Sequence, residues 1–175
     1  IVALERRVAD PAVGKRGLFA LGYAGGVAFF LTGTHWIALL SDVAITVPAL
    51  KYLGWVLAGL YLGVYWGLAT LFAGWLARRS GVKARWTFAV AMLLVEEARG
   101  SGELGFPWFQ PGYTQGSIPP VLQLAALGSV TLVTLWVLLV NGAIANAWAR
   151  RTRAATIGAL VLLALPFANL GAWPL

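Results

Sequence analysis

Glu96-Glu97-Ala98-Arg99-Gly100-Ser101-Gly102-Glu103-Leu104-Gly105-Phe106-Pro107-Trp108-Phe109-Gln110-Pro111-Gly112-Tyr113 interrupts an otherwise apolar chain and holds three of its six carboxylates. The apolar run ahead of it, Trp86 to Val95, is ten residues long. As a helix that run covers only about half of a ~30 Å hydrocarbon core. Either this segment stays on one side of a membrane, or Glu96, Glu97 and Arg99 lie at membrane depth.

The surrounding composition makes a membrane the setting. Of 175 residues, 60% are hydrophobic and 11% charged, and the mean hydropathy is +0.80. A soluble domain carries roughly a quarter charged residues and cannot hide so much apolar surface in one core. The net charge of +7 does not point to nucleic acid, because the basic residues alternate with long apolar runs and form no basic helical face. With no cysteine, the chain has no disulfide, thiolate metal site or cysteine nucleophile of its own. One histidine and no clustered ligand spacing argue against a metal site, and no cofactor motif is present.

Working outward, apolar runs of spanning length fall at 17–40, 53–77, 121–148 and 154–175, with 86–108 as a broken third span. The reading is an all-α, polytopic transmembrane bundle of about five spans with an irregular Gly/Pro loop. Gly59, Gly63 and Gly67 recur every four residues in the second span and read as an intramolecular packing face. Pro119-Pro120 starts the fourth span, and Pro166 kinks or ends the fifth. The loop 41–52 carries Asp42, Pro48 and Lys51. Asn141 and Asn146 read as interhelical hydrogen bonds, and His35-Trp36 as packing at the end of span one. The chain begins at Ile1, and its last apolar run is still continuing at Leu175; a piece of a longer protein is the expectation.

The charges decide whether the third segment crosses. If the spans alternate, one side receives Arg6, Arg7, Lys15, Arg16, Arg78, Arg79, Lys83, Arg85, Arg150, Arg151 and Arg153, and the other only Lys51 and Arg99. That asymmetry marks the first side as cytoplasmic. If Trp86 to Val95 turned back, the Arg150 cluster would fall opposite the others. The segment therefore crosses, with residues 100–120 and the C-terminal end on the outer side.

A crossing that recruits residues beyond Val95 puts Glu96 and Arg99 one turn apart inside the bilayer. Charge there costs a few kcal/mol per group and faces protein or a wet cavity. Either Glu96 or Glu97 can partner Arg99. Beyond Arg99, Gly100, Gly102, Gly105, Pro107 and Pro111 disfavour helix, and irregular backbone at this depth needs cover from protein or water. Trp108 and Tyr113 suit an interfacial belt. Gly100-Ser101-Gly102-Glu103-Leu104-Gly105 matches a dinucleotide fingerprint in letters only; an apolar helix precedes it and Pro107 follows, so the strand–turn–helix that gives the motif meaning is missing.

Glu96-x-x-Arg99, Gly105-Phe106-Pro107-Trp108, Gly112-Tyr113-x-Gln115, Leu122-Gln123-Leu124-Ala125 and Val140-Asn141-Gly142-Ala143, in this order and spacing, resemble the membrane domain of apolipoprotein N-acyltransferases. Gly33-Thr34-His35-Trp36-Ile37 adds a weaker likeness. Glu97, Ala98 and Glu103 depart from the residues common at those places. The resemblance implies a bacterial inner-membrane enzyme in which a helical bundle precedes a periplasmic nitrilase-like domain. Such enzymes move an acyl chain from a phospholipid to the N-terminal amine of a diacylglyceryl-cysteine apolipoprotein. The family's Glu-Lys-Cys triad belongs to that second domain, expected beyond residue 175, so no catalytic residue is assigned within this chain. Here the implied role is anchoring and shaping lipid access, with Glu96, Arg99, Phe106, Pro107, Trp108, Gly112, Tyr113 and Gln115 as candidates. Two other classes compete: a small transporter or channel subunit built on the Glu96/Arg99 pair, and a scaffold whose charges only fix packing.

Overall fold

The structure, a computed structural model, describes residues 1–41, 47 and 49–169. The expectations placed on Asp42, Pro48 and residues 170–175 lie outside the described residues. Among those described, every regular element is helical: α1 (Val2–Ala9), α2 (Lys15–Gly33), α3 (Ala49–Ser80), α4 (Ala84–Gly100), α5 (Pro119–Arg150) and α6 (Arg153–Ala164), with 3-10 turns at His35–Leu39, Pro111–Gln115 and Leu165–Asn169.

The helices pack mainly in chain order, α2 on α3, α3 on α4, α4 on α5 and α5 on α6. The α2–α3 seam is the closest because its residues are small. Gly59, Gly63 and Gly67 face Leu31, Val27 and Phe19, while Gly22 and Gly26 of α2 meet Thr70 and Trp66 of α3. The four-residue glycine stripe is thus an internal packing face, as its spacing suggests. The opposite side of α3 exposes Leu50, Leu53, Leu57, Leu60, Val64 and Leu68. A helix that is apolar all round and half uncovered is stable in hydrocarbon, not water.

Among the described residues, three helical stretches have the length and apolarity to cross a membrane, Lys15–Leu39, Ala49–Ser80 and Pro119–Arg150. The third is not one straight rod. Gly128 (φ −158°, ψ 33°) and Ser129 (φ 56°, ψ −170°) leave the helical region, so the span expected at 121–148 divides there into a short arm and residues 130–150. The second arm alone is about 30 Å long. The expected third span, 86–108, is helical only to Gly100 and then irregular. At 17 residues, α4 is about 25 Å long, short of a full crossing. Pro166 sits in the 3-10 turn that ends α6, where its missing N–H is harmless.

Polar cross-links between helices come from residues other than the asparagines. Asn141 donates to the carbonyl of Val137 in its own helix, which corrects the interhelical expectation. Inter-element bonds within the apolar bundle include Thr70 to Leu18 (2.9 Å), Thr87 to Ala73 (2.9 Å), Trp55 to Leu31 (2.9 Å) and Trp136 to Leu162 (2.7 Å). A threonine reaches a neighbouring carbonyl at close approach, whereas α5 presents Asn141 on an exposed face.

The polar N-terminal stretch holds a helix that hydropathy alone does not mark. Leu4 of α1 is buried against Leu18, Ala73 and Ala77. Its Glu5 forms a two-point pair with Arg85 (2.5 and 2.6 Å). Arg78 donates to the carbonyls of Arg7, Val8, Asp10 and Val13 at 2.8–3.2 Å; the first two are carbonyls that α1 leaves free at its C-terminus, and the other two belong to the turn after it. Two of the basic residues counted for topology are therefore also structural. Glu5→Gln, which leaves the buried Arg85 without its counter-charge, is expected to lower the unfolding temperature of the purified protein by several degrees. Arg6→Gln, at an exposed cation of the same helix, is expected to leave it nearly unchanged.

Candidate functional site

Helix α4 runs antiparallel to the long arm of α5. At one end Gly142 lies against Trp86 and the carbonyl of Arg85; at the other the Thr131 hydroxyl donates to Glu97 (2.7 Å). Arg85 and Arg150 thus share one end of the molecule, and Glu96 to Gly100 lie toward the other. The segment from Glu96 to Tyr113 starts at that second end.

Glu96 and Arg99 are both on the buried face of α4, 3% and 0% exposed. Positions three apart fall on one side of a helix and positions two apart do not. Glu96 is accordingly the partner of Arg99, and the question left open between Glu96 and Glu97 is answered. The Arg99 Nε lies 3.3 Å from one Glu96 oxygen, and its Nη2 pairs with the other. Glu97 points to the exposed side, where it braces the α5 kink through Thr131.

The other half of the guanidinium organises the loop. Arg99 Nη1 donates to the carbonyls of Phe106 and Trp108, the latter at 2.8 Å. The Phe106 N–H donates back to the Arg99 carbonyl (2.8 Å). The guanidinium also lies over the Phe30 ring at 5.4 Å, a favourable place for a desolvated cation. Nε and both terminal nitrogens of Arg99 are thereby engaged within the protein. Its geometry is that of a clasp closing residues 100–108 back onto α4, and its planar fork, unlike an ammonium, can serve a carboxylate and two carbonyls at once.

The clasped loop displays aromatics. Phe106 packs near Trp108 (5.7 Å) and stacks on Phe109 (6.2 Å); Trp108 stacks on Trp36 from the end of the first span (6.2 Å). Phe109 has φ 62°, a left-handed conformation costing about 1–2 kcal/mol for a residue with a side chain. Its ring rests where Gly33 leaves room, 3.2 Å from the position a Cβ would take. Pro107, Trp108 and Tyr113 are exposed. Gln110 is buried with no partner for its Oε1.

Gly112 docks the next turn. Its N–H donates to Thr134 (3.1 Å), and a Cβ there would stand 2.7 Å from the Thr134 hydroxyl and 2.8 Å from the Val130 carbonyl. Gly112→Ala is expected to cost about 1–3 kcal/mol by forcing the 111–115 turn off α5, read as a lower unfolding temperature. Gly116→Ala, which meets only one carbonyl at 3.4 Å, is the tolerated comparison. Gln115 donates to Thr114 within the turn (2.8 Å).

The structure thus brings Glu96, Arg99, Phe106, Pro107 and Trp108 into one assembly. Gly112 is a packing contact to α5; the Gln115 side chain bonds within its own turn, and the Tyr113 side chain is exposed. Sequence reasoning did not pick out Phe30, Thr131 or Thr134. A threonine or phenylalanine inside an apolar helix carries no signal of its own until its neighbour is known. Trp36 was visible, as a tryptophan at a span end, but its partner was not.

Residues 2–143 match the family described as the apolipoprotein N-acyltransferase N-terminal domain. Proteins named apolipoprotein N-acyltransferase are similar to this chain in Chromobacterium violaceum (36% identical, covering 90% of this chain and 30% of the relative) and in Vibrio parahaemolyticus (34%, 87% and 30%). The same name belongs to a relative in Caulobacter vibrioides (37%, 81% and 27%). The chain spans less than a third of the length of these relatives.

Proposed function

The chain belongs to the apolipoprotein N-acyltransferase family, and from that membership we propose that it forms the membrane domain of a lipoprotein-maturing acyltransferase. The reaction is transfer of an acyl chain from a phospholipid to the α-amine of a diacylglyceryl-cysteine apolipoprotein, with the chemistry carried by residues outside 1–175. Residues 1–175 anchor the enzyme and form the lateral entry for its lipid substrates.

The observation that carries this reading is the Arg99 clasp with its exposed aromatic rim. Arg99 and Glu96 hold the loop rather than touch lipid, because their polar atoms are already engaged. Pro107, Trp108 and Tyr113 face outward, together with Leu104. A flat aromatic surface at the interface suits acyl chains and glycerol backbones. The engaged guanidinium also favours a lipid-entry role over the transporter alternative, which needs a charge free to change partners.

In this reading α4 crosses with help from the folded loop. Starting from Arg85 at the basic, cytoplasmic face, Arg99 lies about 20 Å along the helix, two-thirds of the way through a ~30 Å core. Residues 100–120 then emerge on the periplasmic side of the inner membrane, and α6 crosses together with the residues after it.

The test uses the full-length protein, purified and mixed with phospholipid and a diacylglyceryl lipopeptide. The expected result is gain of one acyl chain on the peptide α-amine, and no transfer would sink the assignment. Trp108→Ala is expected to stay folded yet raise KM for the phospholipid about tenfold with little change in kcat. A structural role alone would leave KM unmoved.

A further inference from the structure

A second polar feature lies at the opposite, basic end. Between α1 and the turn joining α3 to α4 is a cleft of about 470 Å³. It is lined by Arg6, Arg78, Lys83 and Arg85, with Glu5 as the one carboxylate among them. Arg85 is 6% exposed. Its Nε and Nη2 are taken by Glu5, while its Nη1 is buried with no partner. An unpartnered guanidinium N–H in a wall is costly unless an acceptor reaches it.

The same cleft is lined by the start of α4, at Lys83 and Ala84. No side chain caps this helix; the Trp86 and Thr87 N–H groups bond to the Lys83 carbonyl, which leaves the N–H groups of the cleft-lining residues Ala84 and Arg85 at the positive end of the helix dipole. A vacant guanidinium donor, an uncapped helix start and an excess of cations converge on one space. Each favours an oxyanion, and a tetrahedral phosphate suits guanidinium and helix N-terminus together. The Arg78 bonds to the carbonyls closing α1 keep the opposite wall in place.

We propose that this cleft binds a phosphate group, supplied by the headgroup of a phospholipid in the leaflet at the basic end. Basic pockets between helices on the cytoplasmic side are suited to such headgroups. This site lies at the end of the molecule away from the Arg99 clasp and does not depend on the acyl-transfer reading; only the choice of leaflet rests on the topology.

The test follows Lys83, which is exposed and lines the cleft. Its rate of labelling by an amine-reactive ester is measured in the full-length protein and normalised to Lys15, a lysine near the same end that does not line the cleft. The protein is held in maltoside micelles, which carry no phosphate, and receives either phosphatidylglycerol or inorganic phosphate. The expected result is about fivefold slower labelling of Lys83 relative to Lys15 with the lipid, a factor typical of one cation's electrostatic contact, and Arg6→Gln weakens that protection. Protection by inorganic phosphate without the lipid assigns the same site to free phosphate. Lys83 and Lys15 changing together under every condition would overturn the proposal, since that is diffuse surface attraction.

Discussion

Arg99→Gln is expected to lower the stability of the membrane domain by about 3–5 kcal/mol, because it leaves a buried carboxylate without its partner. It also releases the Phe106 and Trp108 carbonyls from their shared donor. Stability and acyl transfer should therefore fall together, measured as unfolding temperature in detergent and activity of the full-length enzyme. Arg99→Lys keeps the charge but not the fork, so it is expected to recover only a minor part. Glu96→Gln combined with Arg99→Gln should be less damaging than the sum of the two, since the second change removes the charge that the first exposed. A folded but inactive Arg99→Gln protein would instead mean that the guanidinium meets substrate.

The second large effect is expected at Gly22, where a methyl group would overlap the Thr70 side chain and the Trp66 carbonyl. Because the obstacle includes backbone, α2 and α3 must separate, and Gly22→Ala is expected to cost about 2–3 kcal/mol. The separation also strains the Thr70 hydroxyl bond to Leu18 that links the two helices. One turn away, Gly25 has nothing within 4 Å of its would-be Cβ. Gly25→Ala is expected to be neutral or slightly stabilising, since alanine is the better helix former. Equal effects at the two positions would contradict the close α2–α3 seam.

Much of this architecture is legible in the residues. The spacing of Gly59, Gly63 and Gly67 announces a packing face, and the grouping of Arg78, Arg79, Lys83, Arg85 and Arg150 announces one end of the bundle. The spacing left Glu96 and Glu97 both open as partners of Arg99; the structure selects Glu96, which shares the buried face of α4 with Arg99, while Glu97 turns to Thr131. What could not be read depends on partners far apart in sequence. Thr70 and Thr87 become cross-links only because carbonyls of other helices approach them. The kink at Gly128-Ser129 is braced by Glu97 through Thr131, and neither residue signals it alone. Helix α1 escaped because it is short and charged, and its value lies in Glu5 meeting Arg85 eighty positions on.

The central claim is that α4 and its clasped loop cross the membrane, carrying Glu96 and Arg99 to depth. Residues 1–175 contain no cysteine, so one introduced thiol is the only one they carry. Ser80→Cys, Ser117→Cys and Thr152→Cys, each in the full-length protein and compared with its parent, are exposed to a membrane-impermeant maleimide in osmotically opened, otherwise intact cells. The expected result is labelling of the thiol at 117 directly, and of those at 80 and 152 only after the inner membrane is permeabilised. Shared protection of 80 and 117, with 152 labelled from outside, would show that α4 turns back and would contradict the account.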